Sequence, residues 1–204
     1  PSKGVNEKDN QEAFLTRTGT LVEAASIGKQ LRGKRNGAFR PDCVIADDLE
    51  SSRNTNTKEL IEKNIDWFDK VVVPIGDPKR TCFIYMGTTV VSNGLLQHVQ
   101  KKSDFHSRTF AAIVQPPERT DLWEELESLL RNAEDENRLQ KAKEFYEANR
   151  AEMDKGIEVL WSNRWSYFSL IVEKSNMTSR AFNSEFMNNP IDTENAIFKL
   201  DNLT

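Results

Sequence analysis

The chain has 204 residues, 37% hydrophobic and 29% charged, enough to bury a core and too apolar for the disordered class. A net charge of −4 confines any contact with nucleic acid to a local basic patch. No apolar run approaches the roughly 18 residues of a membrane span, and no cleavable leader pattern opens the sequence, so neither is expected.

Residues 1–11 are polar and are expected to fray. Two short strands follow, "AFLTR" and "TLVEAAS", joined through Gly19 in a tight turn. The stretch "IGKQLRGKRNGAFR" reads as a loop, with glycines at 28, 33 and 37. A strand is expected at 43–46 and a helix over "NTKELIEKNIDWFDKVV". In that helix Leu60, Ile61, Ile65, Phe68 and Val72 share one face, Asn56 or Thr57 caps the start, and Pro74 stops it. "TCFIYMGTT" reads as another apolar strand, "GLLQHVQKK" as a short helix and "TFAAIV" as a third core strand. These apolar runs do not alternate, which argues for an α/β fold with a parallel sheet covered on both faces.

Beyond Pro116-Pro117 the pattern becomes helical. "DLWEELESLL" and "EDENRLQKAKEFYEANRAEMDKG" are amphipathic, with Leu139, Ala142, Phe145, Tyr146 and Met153 in one stripe. A strand-like "IEVLW" and helices at about 166–175 and 178–188 follow, the last ended by Asn189-Pro190. The expected domains are therefore 1–117 and 118–204. Cys43 and Cys82, set in apolar runs, are expected to be buried thiols. The four tryptophans fit packing, and His98 and His106 have no ligand at metal spacing.

The chemistry concentrates in "RPDCVIADDLESS", where an apolar strand leads into Asp47, Asp48 and Glu50. Ligands of an open parallel sheet bind beyond the carboxyl ends of its strands. Adjacent acids there repel one another and favour a neutralising cation. A hydrophobic strand ending in two acids is the Walker B arrangement of P-loop ATPases. Asp47 is then the magnesium residue, acting through water, and Asp48 polarises the water that attacks the γ-phosphate of ATP. Glu50 is the alternative base. The plainer reading makes all three a solvated loop with helix-capping carboxylates.

"FIYMGTT" ends in residues able to sense a γ-phosphate, Thr88 or Thr89, as in P-loop ATPases with an additional strand. The basic loop carries Lys29, Arg32, Lys34, Arg35 and Arg40 with no acid among them, and an arginine there can bind phosphate in its own site or a neighbour's. The sequence holds no G-x-x-x-x-G-K-[ST]; after Gly28-Lys29 stands Gln30. If the acids are a Walker B, the chain is expected to be part of a larger protein whose Walker A strand and helix lie outside it.

The blocks "QLRGKRNGAFRPDCVIADDLES", "IDWFDKVVVPIGDPKRTCFIYMGTTV", "EFYEANRAEMDKGIEVLWSNRWSYFSLI" and "AFNSEFMNNPIDTENAIF" resemble, in order, the large subunit of tailed-phage terminases. The resemblance spans roughly residues 20 to 200. It implies a P-loop ATPase core of the additional-strand type, without its Walker A element, followed by a helical linker subdomain. It implies Asp47 and Asp48 as the Walker B acids, Thr88 as the coupling residue, and Arg32 as the arginine acting on a neighbour's ATP, with Arg35 and Arg40 as alternatives. ATP and Mg²⁺ are the implied cofactors. Double-stranded DNA, a terminase small subunit, a portal protein and a homo-oligomeric ring are the implied partners, in the cytoplasm of a bacterial host. With neither a Walker A nor the family's nuclease acids in it, this chain by itself is expected to be inactive. Two other classes remain: a metal-dependent nuclease using Asp47, Asp48 and Glu50, and a non-catalytic interaction module.

Overall fold

The structure, a computed structural model, describes residues 12–190; the expected frayed segment 1–11 and residues 191–204, which hold the end of the last block, lie outside them. The chain divides into two units, one running through Thr88 and including Asn93–Phe105, the other made of Thr89–Ser92 and the chain from His106 onward. The division thus falls ahead of the expected Pro116-Pro117.

In the first unit, β1 (Ala13–Leu15) and β2 (Leu21–Glu23) form an antiparallel hairpin. Gly19 supplies the left-handed backbone of its turn, at φ 85°. Two lysines of the basic loop answer hairpin acids: Lys29 lies 3.1 Å from Glu12, and Lys34 pairs with Glu23. β3 (Cys43–Asp47) and β4 (Cys82–Met86) then pair in parallel, Cys43 opposite Cys82 and Asp47 opposite Met86.

Between these strands, α1 (Lys58–Trp67) is capped by the Thr57 hydroxyl, which accepts from the Leu60 N–H at 3.3 Å. Pro74 does not stop the helix. The backbone widens into a π turn over Phe68–Val72 and restarts as a 3₁₀ turn over Val73–Ile75, with Pro74 in its opening positions. An opening position requires no N–H of its residue, so the ring is accommodated there. The core gathers Phe68, Val72 and Ile75 from this segment, Leu31 from the loop, and Leu95 and Val99 from α2 (Leu95–Gln100). Val44, Phe83 and Tyr85 pack against them from the strands.

The described residues cover one face of the parallel pair. Its other face leaves Ile45, Ile84 and Met86 exposed, together with Cys43 and Cys82, so the expected burial of both thiols does not hold. The long apolar runs that suggested cover on two sides alternate between core and solvent. The expected third strand does not extend this sheet either. β5 (Ile113–Gln115) belongs to the second unit and pairs antiparallel with β6 (Glu158–Val159). Its flank is satisfied locally: Ala112 donates to the Phe186 carbonyl at 2.7 Å and accepts from the Leu160 N–H at 3.0 Å.

Helices dominate the second unit: α3 (Thr120–Arg131), α4 (Arg138–Met153), α5 (Tyr167–Asn176) and α6 (Ser179–Glu185). Trp123, Leu126 and Leu130 of α3 meet Ala142, Tyr146 and Met153 of α4 and Ile171 of α5. The Trp123 indole N–H donates to the Met153 carbonyl at 2.9 Å, so its polar edge is satisfied inside the core. Leu139 drops out of the expected stripe and is exposed. Trp161 departs from the packing expectation too: it is 58% exposed, with the Arg164 guanidinium 5.0 Å from its ring centre and 5.6 Å from that of Trp165.

One buried-edge ion cluster ties the first unit's helical segments. Asp69, in the π turn, lies 2.9 Å from His98 Nε2 and 3.1 Å from Lys102 Nζ. Burial pushes its carboxyl up, but Lys102 and His98 outweigh that and hold it below the ordinary carboxylate value. A lowered native value means the cluster stabilises the fold above the unfolded-state value and loses that contribution as pH falls through the native one. Unfolding measured against pH is expected to show wild-type stability declining below about pH 4, with Asp69→Asn removing that part of the decline.

Candidate functional site

The parallel pairing of β3 and β4 brings Asp47, Asp48 and the Gly87-Thr88 segment together at one rim. Asp47 closes β3 opposite Met86, with its side chain exposed. Asp48 turns out of the strand with φ 41°, a left-handed conformation that aspartate tolerates better than most residues. Its N–H donates to the Met86 carbonyl at 3.1 Å, and its carboxylate Oδ1 accepts a long bond, 3.4 Å, from the Thr88 N–H. Gly87 allows this close approach, since a Cβ there would stand 3.2 Å from Oδ1. The turn aims an exposed carboxylate over the end of the neighbouring strand. Tyr85, one residue before Met86, has its phenol pKa raised by burial first and then by the charges of Glu50 and Asp48. It stays neutral at physiological pH.

Glu50 does other work. It is buried, and its two oxygens accept the N–H groups of Leu95 at 2.7 Å and Leu96 at 2.9 Å. It therefore caps α2 from a distant loop, which explains why that helix starts at Gly94 with no side-chain cap of its own. A Cβ on Gly94 would lie 2.5 Å from Glu50 Oε1. With both oxygens taken by backbone N–H groups, Glu50 fits the plainer helix-capping reading.

The three candidate arginines also lie elsewhere. Arg32 sends Nε and Nη2 to the Lys70 carbonyl at 3.2 and 2.8 Å. Arg40 Nη1 reaches the carbonyls of Pro74 at 2.7 Å and of Ile75 and Gly76 at 3.4 Å, closing the C-terminal end of the helical segment. Arg35 lines a cleft of about 200 Å³ with Arg40, Arg80, Phe39, Asp42 and Asp77. That cleft sits at the amino ends of β3 and β4. Five residues of strand, roughly 16 Å at 3.3 Å per residue, separate it from the acids. Arg35 and Arg40 thus stand at the opposite end of the strands from Asp47 and Asp48 of the same chain. Arg40→Ala is expected to lower stability by about 1–2 kcal/mol in urea unfolding, and Arg32→Ala by about 1 kcal/mol, as losses of charge-assisted helix-end bonds.

Thr88 is the last residue of the first unit. Thr89, the other sensing candidate, belongs to the second unit. There its N–H donates to Asn188 Oδ1 at 3.1 Å, and its carbonyl accepts from the Ser184 hydroxyl at 2.7 Å. Asn188, at φ 50°, also donates to the Phe110 carbonyl at 2.7 Å. The "NNP" stretch singled out in the sequence thus clasps two chain segments of its own unit. The glycine before "LLQHVQ" was the available signal for a remote cap on α2. Nothing in the linear sequence pointed to Thr89 and Phe110 as the partners of Asn188.

Among the described residues no group of three or more His, Cys, Asp or Glu side chains can hold a metal. Asp47 and Asp48 offer hard, exposed oxygen donors without a third protein ligand. Such a pair suits Mg²⁺, which keeps several waters and draws further ligands from substrate phosphates. The three-carboxylate nuclease site is not assembled, because Glu50 is turned to α2. No described helix is long and apolar enough to cross a membrane. Comparison with protein-family models, curated proteins and solved structures finds no match to this chain.

Proposed function

We propose that this chain is the later part of the ATPase domain, with the following linker region, of a DNA-packaging motor of the terminase large-subunit type. The supporting observation is the rim of the β3–β4 pair, where Asp47 ends β3 opposite Met86 and the Thr88 N–H meets the carboxylate of the adjacent Asp48. In this reading the mixed α/β core is an additional-strand P-loop fold completed by a Walker A strand and helix from outside these residues. Asp47 would hold the Mg²⁺ that accompanies the nucleotide. The bound magnesium nucleotide supplies the phosphoryl group and its charge neutralisation.

Asp48 accepts the proton of the attacking water, and Thr88 registers the state of the site through its backbone bond to that carboxylate. Thr89, the next residue, is held by Asn188 and Ser184. Double-stranded DNA, a small subunit, a portal and a ring of copies are the partners of this reading, in the bacterial host's cytoplasm. Arg35, which has no partner among the described residues, is the arginine best placed to serve a neighbouring copy.

The test is ATP turnover. A longer chain that adds a P-loop strand and helix ahead of residue 1 is expected to release phosphate in a Mg²⁺-dependent manner, and the present chain is not. Full turnover by the present chain, or none by the longer one, overturns the reading. Manganese-dependent nicking of plasmid by the present chain would put the nuclease in its place.

A further inference from the structure

Cys43 and Cys82 lie far apart in sequence but directly opposite one another as the first residues of β3 and β4. Both are free and exposed. In a strand pair, residues directly opposite point to the same face, and the burial alternation puts both thiols on the uncovered one, beside Ile45 and Ile84. Adjacent strands run about 4.8 Å apart, inside the Cα window of about 4.4–6.8 Å that a disulfide requires.

The amino ends of the strands are also pinned. The Cys82 N–H donates to the Asp42 carbonyl at 2.8 Å, and the Thr81 hydroxyl donates to the Pro41 carbonyl at 2.6 Å. Folding has therefore already met the entropy of bringing two distant cysteines together.

We propose that Cys43 and Cys82 form a redox-responsive dithiol site that closes to an intramolecular disulfide across the parallel pair, with small-molecule disulfides as its oxidant class. One thiolate attacks the S–S bond of the small disulfide, forming a mixed disulfide and releasing one small thiol. The second cysteine, giving up its proton, displaces the other small thiol. Two protein thiols are oxidised and one disulfide is reduced to two thiols. Closure ties β3 to β4 at the end away from Asp48. In a reducing compartment such a bond is transient and reports oxidant exposure rather than serving as a permanent staple. The proposal rests on strand register and exposure, independently of the motor reading.

The experiment exposes the folded chain to oxidised glutathione and follows it by intact mass and peptide mapping. The expected product is a monomer lighter by two hydrogens with Cys43 linked to Cys82, reopened by dithiothreitol, with a raised unfolding midpoint. Cys82→Ser is expected to stop at a single glutathione adduct on Cys43. The equilibrium preference for closure is expected to fall at least about tenfold in denaturant, where the strands no longer hold the pair together. Two persisting glutathione adducts, a disulfide-linked dimer, unreacted thiols, or the same closure preference in denaturant would each overturn the proposal.

Discussion

Changing Asp48 to Asn, in a longer chain that supplies a P-loop, is expected to lower ATP turnover by about 10²–10⁴-fold while nucleotide binding is retained. The substitution is well matched to the local geometry. Asn keeps an oxygen to accept the Thr88 N–H and tolerates the left-handed backbone at φ 41° nearly as Asp does. What it loses is the negative charge and the ability to take a proton. Phosphate release measured beside calorimetric nucleotide titration separates the two effects. Unchanged hydrolysis removes Asp48 from the mechanism, and loss of binding along with turnover would make it a ligand for the nucleotide rather than a proton acceptor.

Glu50→Ala is expected to destabilise the first unit by about 3 kcal/mol, read as a lowered midpoint in urea. It removes two charge-assisted bonds at the start of α2 and strands the N–H groups of Leu95 and Leu96. Gly94→Ala is expected to cost about 2–3 kcal/mol by a different route, because the added methyl enters the space of Glu50 Oε1. The two changes are expected to be non-additive: in a Glu50→Ala background the obstruction is gone and Gly94→Ala becomes nearly neutral. Glu50→Gln retains an acceptor, so a smaller loss of stability and near wild-type turnover in the longer chain are expected. An Ala variant as stable as wild type would show that Glu50 does not hold the helix. A Gln variant as inactive as Asp48→Asn would return Glu50 to the chemistry.

The elements that were legible in the sequence are those whose signals are local. The Thr57 cap, the apolar face of α1, the amphipathic α3 and the Gly19 turn need no distant partner to be read. The end of β3 at Asp47 was legible because the apolar run stops at two adjacent acids. The misreadings share a physical cause, which is that strand partners and covering layers are set by tertiary contacts. A run such as Cys43–Ala46 is uniformly apolar in composition, yet it leaves Cys43 and Ile45 exposed while Val44 packs and Ala46 is buried. The same limit assigned β5 to the wrong sheet, since "TFAAIV" carries no mark of its antiparallel partner.

The arginines have partners that spacing does not reveal. A basic loop invites a ligand reading, but Arg32 and Arg40 are engaged by helix-end carbonyls that no spacing rule connects to them. His98 likewise finds its carboxylate, Asp69, across the fold rather than along the chain.

The most direct test of the site uses Mn²⁺ in place of Mg²⁺ with the nucleotide, bound to the longer chain and observed through paramagnetic broadening of backbone amide signals. The account predicts that the strongest broadening falls on Asp47, Asp48 and Thr88 and is lost in Asp47→Asn. Broadening centred on Asp42, Asp77 and Arg80, at the opposite ends of the same strands, with Asp47, Asp48 and Thr88 spared, would contradict it.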